Sequence, residues 1–499
     1  MGTSKQSVVV IGAGIGGLTA AALLAKRGYA VQVYDQAIVP GGCASTFKRQ
    51  GFTFDVGATQ VAGLEPGGIH ARIFAELEIE LPEAVPCDPA CAVFLPGETT
   101  PINVWRDPDR WRAERERQFP GSERFWALMA NMFEVSWAFQ GRDPVLPPRN
   151  AWDLWQMVQA LRLETLKTAP FAFSTVGDVL RLLGLGGDRR LKTFLDLQLK
   201  LYSQVDADET AFLYAATALA VSQAPCGLYH LQGSMQVLSD RLVASLMRDG
   251  GRLLMGHTVE SIPVEAGAAR GVKVRNQKTD DIWFEPADHI VANVTVQDLV
   301  RLLGDRAPTG YRRRVENLEP ASGAFVVYLG VDQAAIPADC PPHLQFLYDP
   351  SGPIGENNSL FVSVSHEGDG RAPAGKATIV ASSFVDTNDW RNLSPEDYAA
   401  RKEHYTQTAI ARLGEYFDLS ETIIYQIAGT PRSFERYTGR QDGIVGGVGM
   451  RRLSFGPFGF ANRTPLDRLW LVGDSTHPGE GTAGVSYSAL TVVRQITES

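Results

Sequence analysis

Cysteine is scarce. The 499-residue chain has five, an odd number: Cys43, Cys87, Cys91, Cys226 and Cys340. A disulfide scaffold of this length would carry more, in pairs, so the count points to a reducing compartment and a packed core. Cys87 and Cys91 are spaced C-x-x-x-C among prolines, but no second Cys/His pair completes a zinc set. None of the eight histidines falls in an H-E-x-x-H arrangement, and no metal is expected. Basic charge is short as well: 47 Lys and Arg against 56 Asp and Glu leave a net charge of -9, with no concentrated basic stripe, which excludes nucleic acid as partner. Long hydrophobic runs are also missing. Residues 8–25 are uncharged but contain the glycines of a turn, and the apolar core at residues 211–221 is too short to cross a bilayer. No signal peptide is evident. These absences lead us to expect a protein on the cytoplasmic side, touching a membrane only peripherally, at its interface.

What is present is glycine where backbone must come close to something. Residues 8–11, Val-Val-Val-Ile, form an apolar β-branched run; Gly12, Gly14 and Gly17 follow in G-x-G-x-x-G spacing, and residues 18–27 are rich in helix formers. A second apolar run, residues 30–34, ends in Asp35, about 20 residues past Gly14, the distance at which a carboxylate reaches a ribose hydroxyl. Gly12 makes the turn, Gly14 lets backbone approach a pyrophosphate, and Gly17 lets helix and strand pack closely, with the phosphates on the helix N-terminus. A lone glycine motif would be only a tight turn. Here the strand, the helix and the acid accompany it, so the block reads as a Rossmann-type dinucleotide site.

The downstream residues choose the dinucleotide. Gly41 and Gly42 follow the second strand, and residues 52–58 form another short strand broken at Gly57. A nicotinamide enzyme would run on to further βαβ crossovers. This chain instead returns near its end with Leu-Trp-Leu-Val-Gly-Asp at residues 469–474, then a glycine-rich turn and a helix at residues 486–496. That pattern predicts FAD lying extended, with Asp474 reaching the ribityl chain and the amides opening the last helix facing the polar edge of the flavin ring. In two-domain flavoproteins a strand like the one at residues 258–262, holding Val259, passes the adenine.

Between these blocks, aromatic and methionine residues recur at helical spacing over residues 123–166, interrupted by Pro144, Pro147 and Pro148. They read as plain core or as a lipid-facing lid at the mouth of an apolar channel. Residues 211–221 read as a buried helix wall. Apolar runs at residues 325–329, 344–347, 360–364 and 378–384 predict an antiparallel sheet covering a substrate cavity. The fold class is therefore α/β: a Rossmann-type FAD-binding domain in three parts, residues 1–80, 226–305 and 441–499, with a discontinuous α+β substrate domain, residues 81–225 and 306–440.

Taken together, the first block, the Gly-Gly-Cys-Ala-Ser-Thr-Phe stretch at residues 41–47, Asp-Val-Gly-Ala at residues 55–58 and Gly-Asp-Ser-Thr-His-Pro-Gly-Glu-Gly-Thr-Ala-Gly-Val at residues 473–485 resemble the phytoene desaturase and carotenoid isomerase family of FAD-dependent oxidoreductases over nearly the whole chain. Residues 49–98 resemble most closely the carotenoid C-3',4' desaturases of oxygenic photosynthetic bacteria, which act in making myxol-type xanthophylls. The resemblance implies an amine oxidase-like two-domain flavoprotein with FAD contacts at Gly12, Gly14, Gly17, Asp35, Gly42, Gly57, Val259, Asp474 and Val485. It also implies an apolar carotenoid substrate, C-3',4' desaturation by hydride transfer to flavin, and quinone or oxygen as electron acceptor.

Two departures stand out. Cys43 occupies the place where many relatives carry Arg, so a phosphate contact is either missing or moved to Lys48 or Arg49. The Asp474 motif resembles the prolycopene isomerases more than the bacterial phytoene desaturases, which keeps open a carotenoid cis-trans isomerase that uses reduced FAD with no net redox change. A non-catalytic isoprenoid carrier on the same fold is the reading from another class, and a flavin amine oxidase is disfavoured for want of an evident aromatic cage or amine-binding acid. His477 and Glu480 are the candidate groups near the reacting end; the competing role for them is capping the last helix. Membrane attachment is expected through residues 137–155, with Trp137, Trp152 and Trp155.

Overall fold

The computed structural model describes residues 5–499. One layer is a five-stranded parallel sheet in the order Leu469–Leu471, His289–Ala292, Ser7–Ile11, Ala30–Asp35, Arg252–Met255. Its central strand is apolar on both faces because helices cover both, as a parallel sheet requires; Val8, Val9 and Val10 are at most 1% exposed. The helix Ile15–Lys26 packs against the C-terminal helix Thr482–Thr497 and against Gln236–Arg248. Every residue from Ile15 to Ala25 is buried, and no charge appears before Lys26, so this helix has no solvent face. Ile11 pairs with Ala292 and with Tyr34, and Ala292 pairs with Leu471. That register brings the carboxyl ends of four strands, with Gly12, Asp35, Asn293 and Gly473 beside them, to one edge, where ligands bind open α/β sheets. A three-stranded antiparallel sheet, His257–Ser261, Gly271–Asn276 and Ile282–Pro286, lies on the crossover between two of the parallel strands and holds Val259 at a register shift.

The other layer is a seven-stranded sheet in the order Ile423–Gly429, Gly323–Asp332, Lys376–Val385, Ser359–Val364, His343–Leu347, Cys91–Phe94, Ile102–Val104. It is antiparallel except where Cys91–Phe94 pairs parallel to His343–Leu347. The exception has a chain reason: a hairpin forces antiparallel pairing, whereas these two strands are some 250 residues apart and joined by no turn. Helix Glu123–Gln140 packs on Phe212–Ser222, with Phe125, Trp126, Met129, Met132 and Phe133 buried, so most of the aromatic and methionine stretch is core. The next helix, Ala151–Ala160, buries only Asp153 and Ala160.

The layers are pinned together by charge. The Arg371 guanidinium, 4% exposed, donates to Asp55 at 3.0 and 3.2 Å and to Asp369 at 3.2 Å. Asp55 also accepts the Met235 amide at 2.9 Å, and Asp369 lies 2.8 Å from His230. Removing one member of such a buried network leaves an uncompensated charge, a loss of about 3–5 kcal/mol.

Candidate active site

Where the carboxyl ends of the parallel strands meet the seven-stranded sheet lies a cavity of about 660 Å³. Gly12, Gly14, Asp35, Gly42, Gly57, Val259, Asp474 and Val485 all line it, so Asp35 and Asp474, from opposite ends of the chain, face one space. Gly17 is not on the wall. It serves packing instead: a methyl there would overlap the Gly12 carbonyl oxygen and sit 3.0 Å from Asn293 Cβ. Gly12 has φ +94°, and a Cβ would lie 2.7 Å from the Asn293 carbonyl oxygen, so the turn admits only glycine.

Two helices open into the cavity uncapped. The first begins at Gly14 and the last at Gly481, neither with a side-chain cap, and Thr482, Ala483 and Gly484 line the wall. Their first-turn N–H groups are left for a ligand. Asp35 accepts the Ala13 amide at 2.6 Å and the Ala37 amide at 2.7 Å, and so fastens the glycine turn from beneath. Burial pushes its pKa up while those two amides pull it down.

At the far end, Asp474 accepts from Arg440 at 2.5 Å, and Arg440 also donates to the Gly446 carbonyl at 2.5 Å. Burial opposes the Arg440 charge, and the Asp474 carboxylate outweighs it, holding the guanidinium pKa above its ordinary value; Cys43 is close enough to contribute. Arg440 and Cys43 both line the cavity. Beside Cys43 the wall thus carries a guanidinium from a residue some 400 positions away. Lys48 and Arg49 supply no cation there. Both are exposed on the strand Thr46–Arg49, Arg49 bonding the Lys48 carbonyl, and neither reaches the wall, because the chain turns away through the short helix Gly42–Ala44.

Glu480 lines the cavity; its Oε2 accepts from Gln204 at 3.0 Å, and its Oε1 is buried with no partner. Burial pushes its pKa up to about 8, against the pull of Gln204, Arg440 and Lys200. His477 is 6% exposed and lies behind the wall, Nε2 2.6 Å from the amide nitrogen of Gln140, and burial lowers its pKa to about 4. Neither caps the last helix. Sequence reasoning passed over Arg440, Gln140 and Asn293, all on the wall, and Gln204, which bonds Glu480 from behind it. Only Asn293 left a signal, as the residue closing an apolar strand. Leu197, Leu201, Val221, Leu228, Ile354 and Phe361 make the rest of the wall strongly apolar. Among the described residues no group of three or more His, Cys, Asp or Glu is arranged to hold a metal, and no helix is long and apolar enough to cross a membrane.

Comparison with known proteins agrees with this geometry. The model of the family described as flavin containing amine oxidoreductase matches residues 15–497. A chloroplastic prolycopene isomerase from Daucus carota is 26% identical, over 99% of this chain and 81% of its own. A 4,4'-diapophytoene desaturase from a Methylomonas species is 24% identical, over 99% of this chain and 96% of its own. Among solved structures, cyclohexylamine oxidase from Brevibacterium oxydans superposes with a TM-score of 0.63 at 15% identity, covering 99% of this chain and 100% of that one, which shows the fold. The glycine turns, the two open helix ends and Asp35 and Asp474 on one wall fit FAD, the cofactor of this two-domain fold. The chain belongs to the flavin-containing amine oxidoreductase family, as a flavoprotein whose relatives there include carotenoid isomerases and desaturases.

Proposed function

We propose that this protein is a FAD-dependent carotenoid desaturase that introduces the C-3',4' double bond into a monocyclic or acyclic carotenoid end during myxol-type carotenoid biosynthesis. The observation that carries the reading is a single cavity combining the glycine turns of both chain ends with a wall of Leu197, Leu201, Val221, Leu228, Ile354 and Phe361. In this reading the phosphates lie on the turn at Gly12 and Gly14, with Gly17 behind it; Asp35 and Val259 serve the adenosine end; Gly42, Gly57, Asp474 and Val485 serve the ribityl and ring end. FAD, when bound, would supply a two-electron hydride acceptor, with quinone or oxygen as the final electron acceptor.

The chain's own part is positioning. Hydride leaves one carbon and a proton its neighbour, and the cation between these events is spread along the polyene, so a strong base is unnecessary. Apolar walls hold the rod-shaped end in register and keep water from trapping the cation. Glu480, protonated at neutral pH, puts no charge beside it. Amine oxidation is disfavoured on the same wall: Asp474 is paired with Arg440, Asp298 with Arg301, and Asp35 with two amides, which leaves no ionised carboxylate free for an ammonium.

One observation favours a second reading, carotenoid cis-trans isomerisation. A neutral Glu480 can lend a proton to the polyene and take it back after rotation, with no net redox change. The substrate dissolves in lipid, and Leu154, Trp155 and Val158 expose 48%, 57% and 46% of their surface, which supports peripheral attachment. Trp152 takes no part in that face, being half-buried with the Arg494 guanidinium 5.7 Å from its ring. The test is product analysis by mass spectrometry after incubation with a monocyclic hydroxylated carotenoid, with and without quinone. Loss of two hydrogen atoms supports desaturation; altered retention at unchanged mass supports isomerisation. A purified protein without flavin colour and without turnover would leave the carrier reading.

A further inference from the structure

Outside the cavity, a surface pocket lies between the loop preceding the helix Ala151–Ala160 and residues 453–459. It is lined by two guanidinium groups, Arg149 and Arg314, set among Pro148, Met157, Leu453 and Phe458, and no acidic side chain lines it. In a chain with 56 carboxylates that arrangement is selective. Arg314 is fixed in place: it donates to the carbonyl oxygens of Phe458 and Gly459 and lies 4.1 Å above the Phe460 ring. Burial, and then the Arg149 charge, pushes its pKa down, so the two cations stand close together without a counter-charge.

The pocket borders an apolar face. Met157 belongs to the helix whose Leu154, Trp155 and Val158 point outward, and the face continues through Leu161, Leu163 and Leu166, which are 41%, 87% and 65% exposed. Phe173, 59% exposed, brings it back to the pocket, its ring 5.1 Å from that of Phe458. Arg162 and Lys167 lie exposed along the same stretch, with Glu164 exposed between them, for a net charge of one positive. A patch of this extent on one side of a soluble fold marks an interaction surface, and aromatic and aliphatic groups beside cations are what an interfacial, anionic bilayer accepts.

We propose that Arg149 and Arg314 form a headgroup site for an anionic phospholipid, seated when the apolar residues between Leu154 and Phe173 enter the interfacial region of a bilayer. The inference rests on the reading of the cavity as one that draws its substrate from lipid.

The test is sedimentation of the flavin-loaded full chain with vesicles of neutral phosphatidylcholine and with vesicles containing about a quarter phosphatidylglycerol, with melting temperature and flavin absorbance as fold controls. The wild type is expected to prefer the anionic vesicles. Arg149→Gln is expected to lower that binding about fivefold without changing binding to the neutral ones, and Leu163→Asp to lower both. Equal binding of the wild type to both vesicles, or an Arg149→Gln variant that binds like it, overturns the proposal. So does inorganic phosphate at fixed ionic strength if it abolishes the preference, since the pocket would then be a small-anion site. Carotenoid turnover in detergent micelles separates the two readings: turnover without lipid preference sinks this inference alone.

Discussion

Replacing Glu480 with Gln removes a titrating proton from the cavity wall while keeping the hydrogen bond to Gln204. The carboxyl's pKa rises from 4.5 to about 8 in the folded protein, chiefly through burial, with Asp474 adding and Arg440 and Lys200 subtracting. Between those two values the folded chain keeps the proton and the unfolded chain has lost it, so stability falls with rising pH. Its contribution is whole below the unfolded value and gone above the folded one. Each pH unit in that window is worth about 1.4 kcal/mol. Between about pH 5.5 and about pH 7.5 the wild type therefore loses roughly 3 kcal/mol relative to Glu480→Gln. At about 2 cal/mol/K of unfolding entropy per residue, this corresponds to about 3 °C in melting temperature for a chain of this length. The assay is differential scanning calorimetry of both proteins at three or more pH values. Wild-type and variant melting temperatures that run parallel across the window would refute the placement of Glu480 as a protonated wall group.

Gly17→Ala should abolish flavin binding and most soluble expression, because its methyl overlaps the Gly12 carbonyl oxygen; flavin absorbance per protein in the purified fraction measures it. Gly28→Ala, at φ +90° with nothing within 4 Å, should cost only about 1–2 kcal/mol and leave the flavin in place; equal behaviour of the two variants would count against close helix-strand packing as Gly17's role. Arg440→Gln strips Asp474, whose side chain is 9% exposed, of its ion pair and should cost about 3 kcal/mol and weaken flavin retention on dialysis. Undiminished retention would remove Arg440 from the cofactor end.

The parallel sheet and its glycine turn were legible because their signals are local: β-branched strand, glycine at fixed offsets, acid at the end of the next strand. The C-terminal turn was legible for the same reason. Glu480 and His477 were singled out together, but only burial distinguishes them, one on the wall and the other behind it, and burial is a tertiary property. Arg440 carries no local mark at all; it sits between a short helix and a loop, and its meaning comes from Cys43 and Asp474 being folded against it. The parallel entry of Cys91–Phe94 into an otherwise antiparallel sheet was invisible because nothing in a strand's alternation encodes the direction of a partner 250 residues away. Trp152 and Trp155 read alike in sequence; one helix turn decides that the first meets Arg494 and the second meets solvent.

The electrostatics of the cavity explain why Glu480 is better neutral than ionised. Arg440 is matched by Asp474, Arg301 by Asp298, and Arg72 by Asp143. That leaves Lys200, whose ammonium bonds only the Gln204 carbonyl and the Ser322 hydroxyl, to offset Asp35. The side chains thus come close to balance, and the field is set by the two uncapped helix ends, about +0.5 charge each. Those ends suit the anionic phosphates and a ring that gains negative charge on reduction. An ionised Glu480, placed next to the turn that opens the last helix, would cancel one of them. The same burial that denies the carboxyl a partner for Oε1 therefore preserves the positive potential on which an anionic cofactor depends.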